Sequence, residues 1–253
     1  MTKIPENVLD ILGQCRVEGS TLFLPDVKLD RKDYIAINKV LEKMGGKWNR
    51  KARGHVFQAG DNPAEMLEAV LLTHEVRDMK KEFQFFPTPW PVAERLCKMA
   101  ELDATSTVLE PSCGDGRLAD VIMEYSPASL FCVELDPNMV LKLEGKPYQV
   151  LWDDFLRVGR ENVGRVSRIV MNPPFTRFQD IDHIRHAYDL LDEGGILVSV
   201  ACESPFFRSE KKAVEFRAFL DEARAEVIRL ETGAFHESGT KIPVRLVKIR
   251  KPQ

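Results

Sequence analysis

A chain of 253 residues, 44% apolar and 30% charged, can bury a sizeable core with room for a small second unit, which excludes a disordered polyelectrolyte. A net charge of −3 excludes a uniformly basic polyanion binder while allowing a local basic face. The five cysteines (Cys15, Cys97, Cys113, Cys132, Cys202) are scattered and form no Cys-x-x-Cys pair, which argues against a disulfide frame or a zinc site. No apolar run reaches membrane-spanning length, so the expectation is a soluble cytoplasmic protein with no metal and no membrane association.

Residues 1–82 read as a small α+β unit. Thr21–Leu24 is a candidate strand. Asp30 caps a helix through Met44, with Tyr34, Ile35, Ile37, Val40, Leu41 and Met44 as its apolar face. Gly45-Gly46 ends it in a left-handed cap. His55–Gln58 is a second strand, and Asn62-Pro63-Ala64-Glu65 opens another helix with cap, first-turn proline and acid in place. Between Lys39 and His55, six basic residues, among them Lys47, Arg50 and Lys51, surround Trp48 against the single acid Glu42. Two readings stay open there. One is a phosphate-binding face on which Trp48 stacks a base. The other is a solvated hairpin with Trp48 in the small core.

Residues 83–253 form the second unit, after an aromatic junction at Phe83, Phe85 and Phe86. Pro91 opens a helix over 92–102. Strands follow at 108–110, 130–134, 149–151, 168–171 and 196–200, alternating with helices at 117–125, from Pro137, at 181–191 and at 210–223. The last two strands, 225–230 and 244–249, have no helix between them and should be antiparallel. This alternation predicts a seven-stranded, mostly parallel α/β sheet covered on both faces.

Two turns carry the chemistry. Gly114-Asp115-Gly116-x-x-Ala119 lies between a strand and a helix, and Glu134 ends the next strand. That is the pattern for an adenosine-containing cofactor on a βαβ unit, and the glycines alone leave open which one. At Ile169-Val170-Met171-Asn172-Pro173-Pro174-Phe175 a buried strand ends in a stiff turn. It offers a side-chain carbonyl from Asn172, a backbone carbonyl from Pro173 and an aromatic face from Phe175, which suits a planar group bearing an exocyclic amine.

The residues flanking the glycines discriminate. Val108-Leu109-Glu110-Pro111-Ser112-Cys113-Gly114-Asp115-Gly116 resembles the first motif of class I S-adenosylmethionine-dependent methyltransferases. The resemblance implies a Rossmann-like sheet in which Glu134 holds the cofactor ribose, Asp154 meets the adenine amine and Phe155 packs on its ring. Phe86-Pro87-Thr88-Pro89 resembles the segment that closes over the methionine part in amino-methyltransferases. Asn172-Pro173-Pro174-Phe175 resembles their catalytic motif. Thr232–Phe235 and Ser238–Thr240 look like the late loop bordering the target pocket. The order of closing segment, cofactor turn and catalytic motif, over roughly residues 83–250, resembles gamma-type adenine-N6 DNA methyltransferases.

The implied reaction is direct transfer of a methyl group from S-adenosylmethionine to a flipped-out adenine stacked on Phe175, and Phe235 is open between two readings, a second face opposite the base and a core aromatic under the loop. The implied partner is nucleic acid, double-stranded DNA first. Family members carry a large carboxyl-terminal recognition domain, whereas the sequence ends at Gln253 just past the last strand. Recognition is therefore expected from the N-terminal unit, from loops at 176–180 and 206–212, or from another chain, either a second copy or a separate specificity partner. Two alternatives are an RNA methyltransferase acting on an adenine or guanine amine, and a non-catalytic nucleic-acid-binding module. His183, His186 and His236 make no metal constellation.

Overall fold

Local signals set the elements of the first unit. In the computed structural model, which describes residues 2–57, 61–76, 86–231, 233–238 and 242–253, the chain divides into Met1–Gln84 and Phe85–Gln253. In the first unit, Asp30 accepts from the Asp33 N–H at 2.8 Å and starts a helix, and Asn62 caps a second through the Glu65 N–H. The Gly45 and Gly46 N–H groups reach back to the carbonyls of Glu42 and Leu41, a Schellman ending that needs the left-handed Gly45. The elements are β1 (Thr2–Lys3), α1 (Glu6–Leu12), β2 (Arg16–Glu18), β3 (Thr21–Phe23), α2 (Arg31–Lys43), β4 (Lys47–Asn49), β5 (Gly54–Val56), α3 (Pro63–Thr73) and β6 (Glu75–Val76). Strands β2-β3-β5-β4 form one antiparallel sheet, and β1 pairs with β6. Leu12, Leu22, Ile37, Leu41 and Phe57 are buried together. Tyr34 and Ile35, expected on the apolar face of α2, are exposed. Gln58, expected to end β5, lies outside the described residues.

In the second unit, α4 (Trp90–Met99) begins with Pro91 in its first turn. The chain continues through β7 (Thr107–Pro111), α5 (Arg117–Met123), β8 (Ser129–Glu134), α6 (Pro137–Lys142), β9 (Gln149–Trp152), α7 (Arg160–Val163), β10 (Arg168–Met171), α8 (Gln179–Leu190), β11 (Ile196–Cys202), α9 (Lys211–Glu222), β12 (Glu226–Arg229) and β13 (Val244–Arg250). The seven-stranded sheet has the order β12-β13-β11-β10-β7-β8-β9. Its pairs are parallel except those of β13, which runs against both β11 and β12, as expected for the last two strands.

The central strands are apolar throughout because both faces are covered. Val170 and Val198 face a core shared with Leu96 of α4 and Leu118 and Ile122 of α5. Ile169, Met171 and Leu197 face Ile184 of α8 and Phe216 of α9. Strand order reverses at β7 and β10. Their connections leave in opposite directions and open a crevice beyond their carboxyl ends, the usual ligand site of such sheets.

Candidate active site

The turn after β7 is built from left-handed residues. Ser112, Gly114 and Gly116 have φ of 64°, 58° and 79°. A Cβ on Gly116 would lie 2.5 Å from both Leu143 Cδ2 and Tyr148 Oη, so packing and backbone alike require glycine there. Cys113 is buried, and its N–H donates to the Val133 carbonyl at 3.0 Å. The Gly114 N–H donates to Glu134 Oε2 at 2.6 Å, and the Asp136 N–H donates to Oε1 at 2.8 Å. Glu134 thus ties the end of β8 to the glycine turn. Burial raises its carboxyl above the ordinary range, opposed by these N–H bonds. Glu110, 2% exposed at the end of β7, is pushed well above that range by burial, with Cys113, Asp115 and Glu134 adding to the effect. Asp115 bonds the Arg117 N–H at 3.2 Å.

Asn172 stands at the end of β10, across the switch point. Its Nδ2 donates to the Phe86 carbonyl at 3.0 Å and to Thr88 Oγ1 at 3.1 Å. A backbone carbonyl can only accept, so the amide's orientation is fixed. Asn172 Oδ1 is left shielded from solvent with no partner among the described residues. Leaving a buried carbonyl unpaired costs about 1–3 kcal/mol. The motif and the Phe86–Pro89 segment, expected as separate parts, are directly bonded.

Beyond the motif, Phe175 is half-buried against the core that holds Phe235. Arg177 and Phe178 follow with φ of 56° and 59°, an uncommon pair of left-handed non-glycine residues. Asp180 Oδ2 accepts from the Cys202 N–H at 2.8 Å, joining the first turn of α8 to the end of β11, while its Oδ1 has no partner among the described residues. Burial lifts its carboxyl to about 6.

Phe155, expected to face ligand, is turned inward, and of the two readings of Phe235 the structure has the core aromatic. Phe155 is 3% exposed, with His183 and His186 rings at 5.4 and 4.9 Å. It opens a short 3-10 turn capped by Asp154, which drives the ring under α8. Phe235 is 1% exposed within the core, so no face is open opposite Phe175. The exposed apolar groups at the ends of β8 and β9 are instead Leu135 and Trp152, tied by the indole N–H to the Leu135 carbonyl at 3.1 Å. An apolar residue directly after the strand-ending acid was the available signal. Thr232, Gly239 and Thr240, Phe83 and Phe85 lie outside the described residues. Lys47, Trp48, Arg50 and Lys51 belong to the other unit and are exposed. Among the described residues, no group of three metal-ligating side chains is placed to hold an ion, and no helix is long and apolar enough to cross a membrane.

No family model matches the chain, and no curated protein does. Among solved structures, the methyltransferase subunit of a type I restriction-modification system from Streptococcus thermophilus is similar at 21% identity and a TM-score of 0.55. That match covers 78% of this chain and 51% of the subunit. A Listeria monocytogenes protein provisionally assigned as a class I S-adenosylmethionine-dependent methyltransferase matches at 12% identity and a TM-score of 0.54, over 75% of this chain and 66% of its own. A provisionally assigned RNA methyltransferase from Pyrococcus horikoshii matches at 20% identity and a TM-score of 0.51, over 68% of this chain and 88% of its own. The chain spans about half the length of the restriction subunit. At these identities the likeness is one of fold alone, a Rossmann-like, mostly parallel seven-stranded sheet.

Proposed function

We propose that this chain is an S-adenosylmethionine-dependent methyltransferase whose target is the exocyclic N6 amine of adenine in DNA. The observation that carries the reading is Asn172. Its amide is oriented through its N–H groups, and its buried carbonyl oxygen lacks a partner. An amine proton satisfies that oxygen, which explains why the cost is tolerated at a strand end beside a glycine turn.

The residues present fit the cofactor. The backbone of Gly114, Asp115 and Gly116, shaped by Glu110, Pro111 and Cys113, would approach it closely. Each Glu134 oxygen accepts one backbone N–H and keeps capacity for a ribose hydroxyl. Asp154 would receive the adenine amine, with Leu135 and Trp152 offering the apolar face that Phe155 does not. Pro87, Thr88 and Pro89 would lie over the methionine part. When bound, the cofactor supplies the electrophilic methyl group.

An aromatic amine is a poor nucleophile because its lone pair is delocalised. Asn172 Oδ1 and the Pro173 carbonyl would accept its two protons and favour a pyramidal nitrogen with its lone pair aimed at the methyl group. The same fixed acceptors stabilise positive charge developing on nitrogen. Pro174 stiffens the turn and Phe175 gives the extruded base a surface. Because Oδ1 is shielded from solvent, the amine reaches it only by displacing the groups that shield it.

The likeness to a restriction-modification subunit supports DNA, and that to an assigned RNA methyltransferase supports the runner-up, an RNA base amine. The experiment is transfer of labelled methyl to unmethylated duplex DNA, single-stranded DNA, RNA and protein, followed by digestion. Label in N6-methyladenine from DNA is expected. Label confined to RNA or protein replaces the substrate class. No label from cofactor-loaded protein leaves a binding module.

A further inference from the structure

The β4–β5 hairpin of the first unit plays no part in methyl transfer as described, yet its surface is specific. Strand β4 is the edge of its sheet. Trp48 pairs with His55, which pairs with Leu22, so the three share one face. Leu22 is 0% and His55 1% exposed, but Trp48 is 50% exposed. A single exposed tryptophan means little by itself. Its surroundings carry the inference.

The loop beyond Trp48 is preformed. Asn49 Oδ1 accepts from the N–H groups of Lys51 at 2.9 Å and Ala52 at 3.0 Å, and Arg53 is left-handed with φ of 53°. Gly54 packs so closely that a Cβ would come within 2.8 Å of Thr21 Cγ2. His55 braces the indole edge-on, with ring centroids 5.3 Å apart. The conformation that presents the tip is therefore fixed before any partner arrives, which lowers the ordering cost of binding.

The charges at the tip are uncommitted. Lys47, Arg50, Lys51 and Arg53 are exposed and have no ion pair among the described residues. Elsewhere in the chain some cations are committed to carboxylates: Arg160 and Arg165 share Asp192, and Lys248 and Arg250 share Glu101. In a chain of net charge −3, three unpaired cations in the loop beyond an open indole, Arg50, Lys51 and Arg53, mark a surface for a polyanion with flat faces. A duplex hides its base faces by stacking, whereas a single strand presents them.

We propose that this hairpin binds single-stranded nucleic acid, one base stacking on Trp48 while neighbouring phosphates meet Arg50, Lys51 and Arg53. This goes beyond the methyltransferase reading and stands without it.

The test uses the full chain without cofactor, in fluorescence-anisotropy titrations against a labelled single-stranded oligonucleotide and its duplex. Trp48→Ala is expected to weaken single-strand binding about 5- to 100-fold. Trp48→Phe, which keeps an aromatic face, should restore most of it. Arg50→Gln with Lys51→Gln should reduce the salt slope by roughly 0.7 for each lost phosphate contact. Arg224→Gln, at an exposed cation of the second unit that takes no part in methyl transfer as described, should leave the single-strand affinity unchanged, which separates the hairpin's charges from other surface cations. No single-strand binding by the parent chain, or binding indifferent to Trp48→Ala in a variant with unaltered circular dichroism, overturns the proposal. So does a duplex bound as tightly as the single strand.

Discussion

The turn at Gly114–Gly116 and the loop at Arg50–Arg53 both combine charge with left-handed backbone, and they use their polar groups in opposite ways. Around the glycine turn, polar side chains are bonded to the protein itself: Glu134 to two backbone N–H groups, Asp115 to Arg117, and the Asn172 amide to Phe86 and Thr88. The orphan across the crevice is one acceptor, Asn172 Oδ1. At the hairpin, among the described residues, only Asn49 is bonded in this way, to its own loop, and the cations face water. Burial turns a polar group into a geometric constraint, because each atom must be matched. Exposure leaves a charge free to meet any phosphate. A site that selects one amine and a surface that accepts any strand are the two outcomes.

The comparison is broken most directly at Asn172. Asn172→Ala removes the orphan acceptor and should lower kcat for methyl transfer by about 100- to 1000-fold, with cofactor affinity within twofold in calorimetry. Thr88→Val should lower the rate less, since the Phe86 carbonyl still holds the amide. The double variant should be no worse than Asn172→Ala alone, because Thr88 acts through Asn172. Near-normal turnover by Asn172→Ala would sink the catalytic reading.

Glu134→Ala comes next. It leaves the Gly114 and Asp136 N–H groups buried without acceptors, at about 1–3 kcal/mol each. The urea midpoint should fall and cofactor affinity should fall with it. A fall in affinity with an unchanged midpoint would show that Glu134 serves the ligand alone and does not pin the turn.

The architecture was legible because its signals are local. Runs such as Ile169–Met171 are apolar at every position, which only a strand covered on both faces requires. Asp30, Asn62 and the Gly45-Gly46 pair mark helix ends through their own backbone bonds. Short elements escaped: α1 has seven residues and α7 four, too few to show a period. The site was legible as a set of motifs but not as a set of contacts. Asn172 meets Thr88 across 84 residues of sequence, and no spacing reports that. Phe155 was read as a ligand face because it follows Asp154, yet its direction is set by His183 and His186 on α8. The sequence leaves Trp48 open between core and surface, since alternation along β4 cannot show where the cover over the sheet stops.

Asp180 tests the buried half of the comparison by pH. Its carboxyl is raised from 3.8 to about 6 by burial, so the folded state holds its proton more tightly than the unfolded chain. Stability from this group is fully present below pH 4 and is lost as pH rises through 6, by up to roughly 3 kcal/mol. Cys202, Lys212 and the first turn of α8 face the group, and Lys212 opposes the rise. Asp180→Asn keeps an acceptor for the Cys202 N–H and cannot ionise. Its thermal midpoint should therefore gain on that of the parent between pH 4 and pH 7. A constant difference over that range would mean that burial does not raise the Asp180 carboxyl above its unfolded value.

The smallest effect belongs to the hairpin. Trp48 is 50% exposed, and its ring contact is with His55, so Trp48→Ala should change unfolding stability by no more than about 0.5 kcal/mol. That near-neutrality is what separates a presented side chain from a packed one. If the unfolding free energy from urea titration instead fell by the roughly 3–5 kcal/mol typical of a buried aromatic truncation, the indole would be part of the small core in solution. Its exposure would then no longer count towards a binding surface. A neutral stability effect joined to a large loss of single-strand affinity is the combination that a structural role cannot produce. The two measurements on this one variant therefore decide whether the unpaired cations beside it are a site or only a solvated turn.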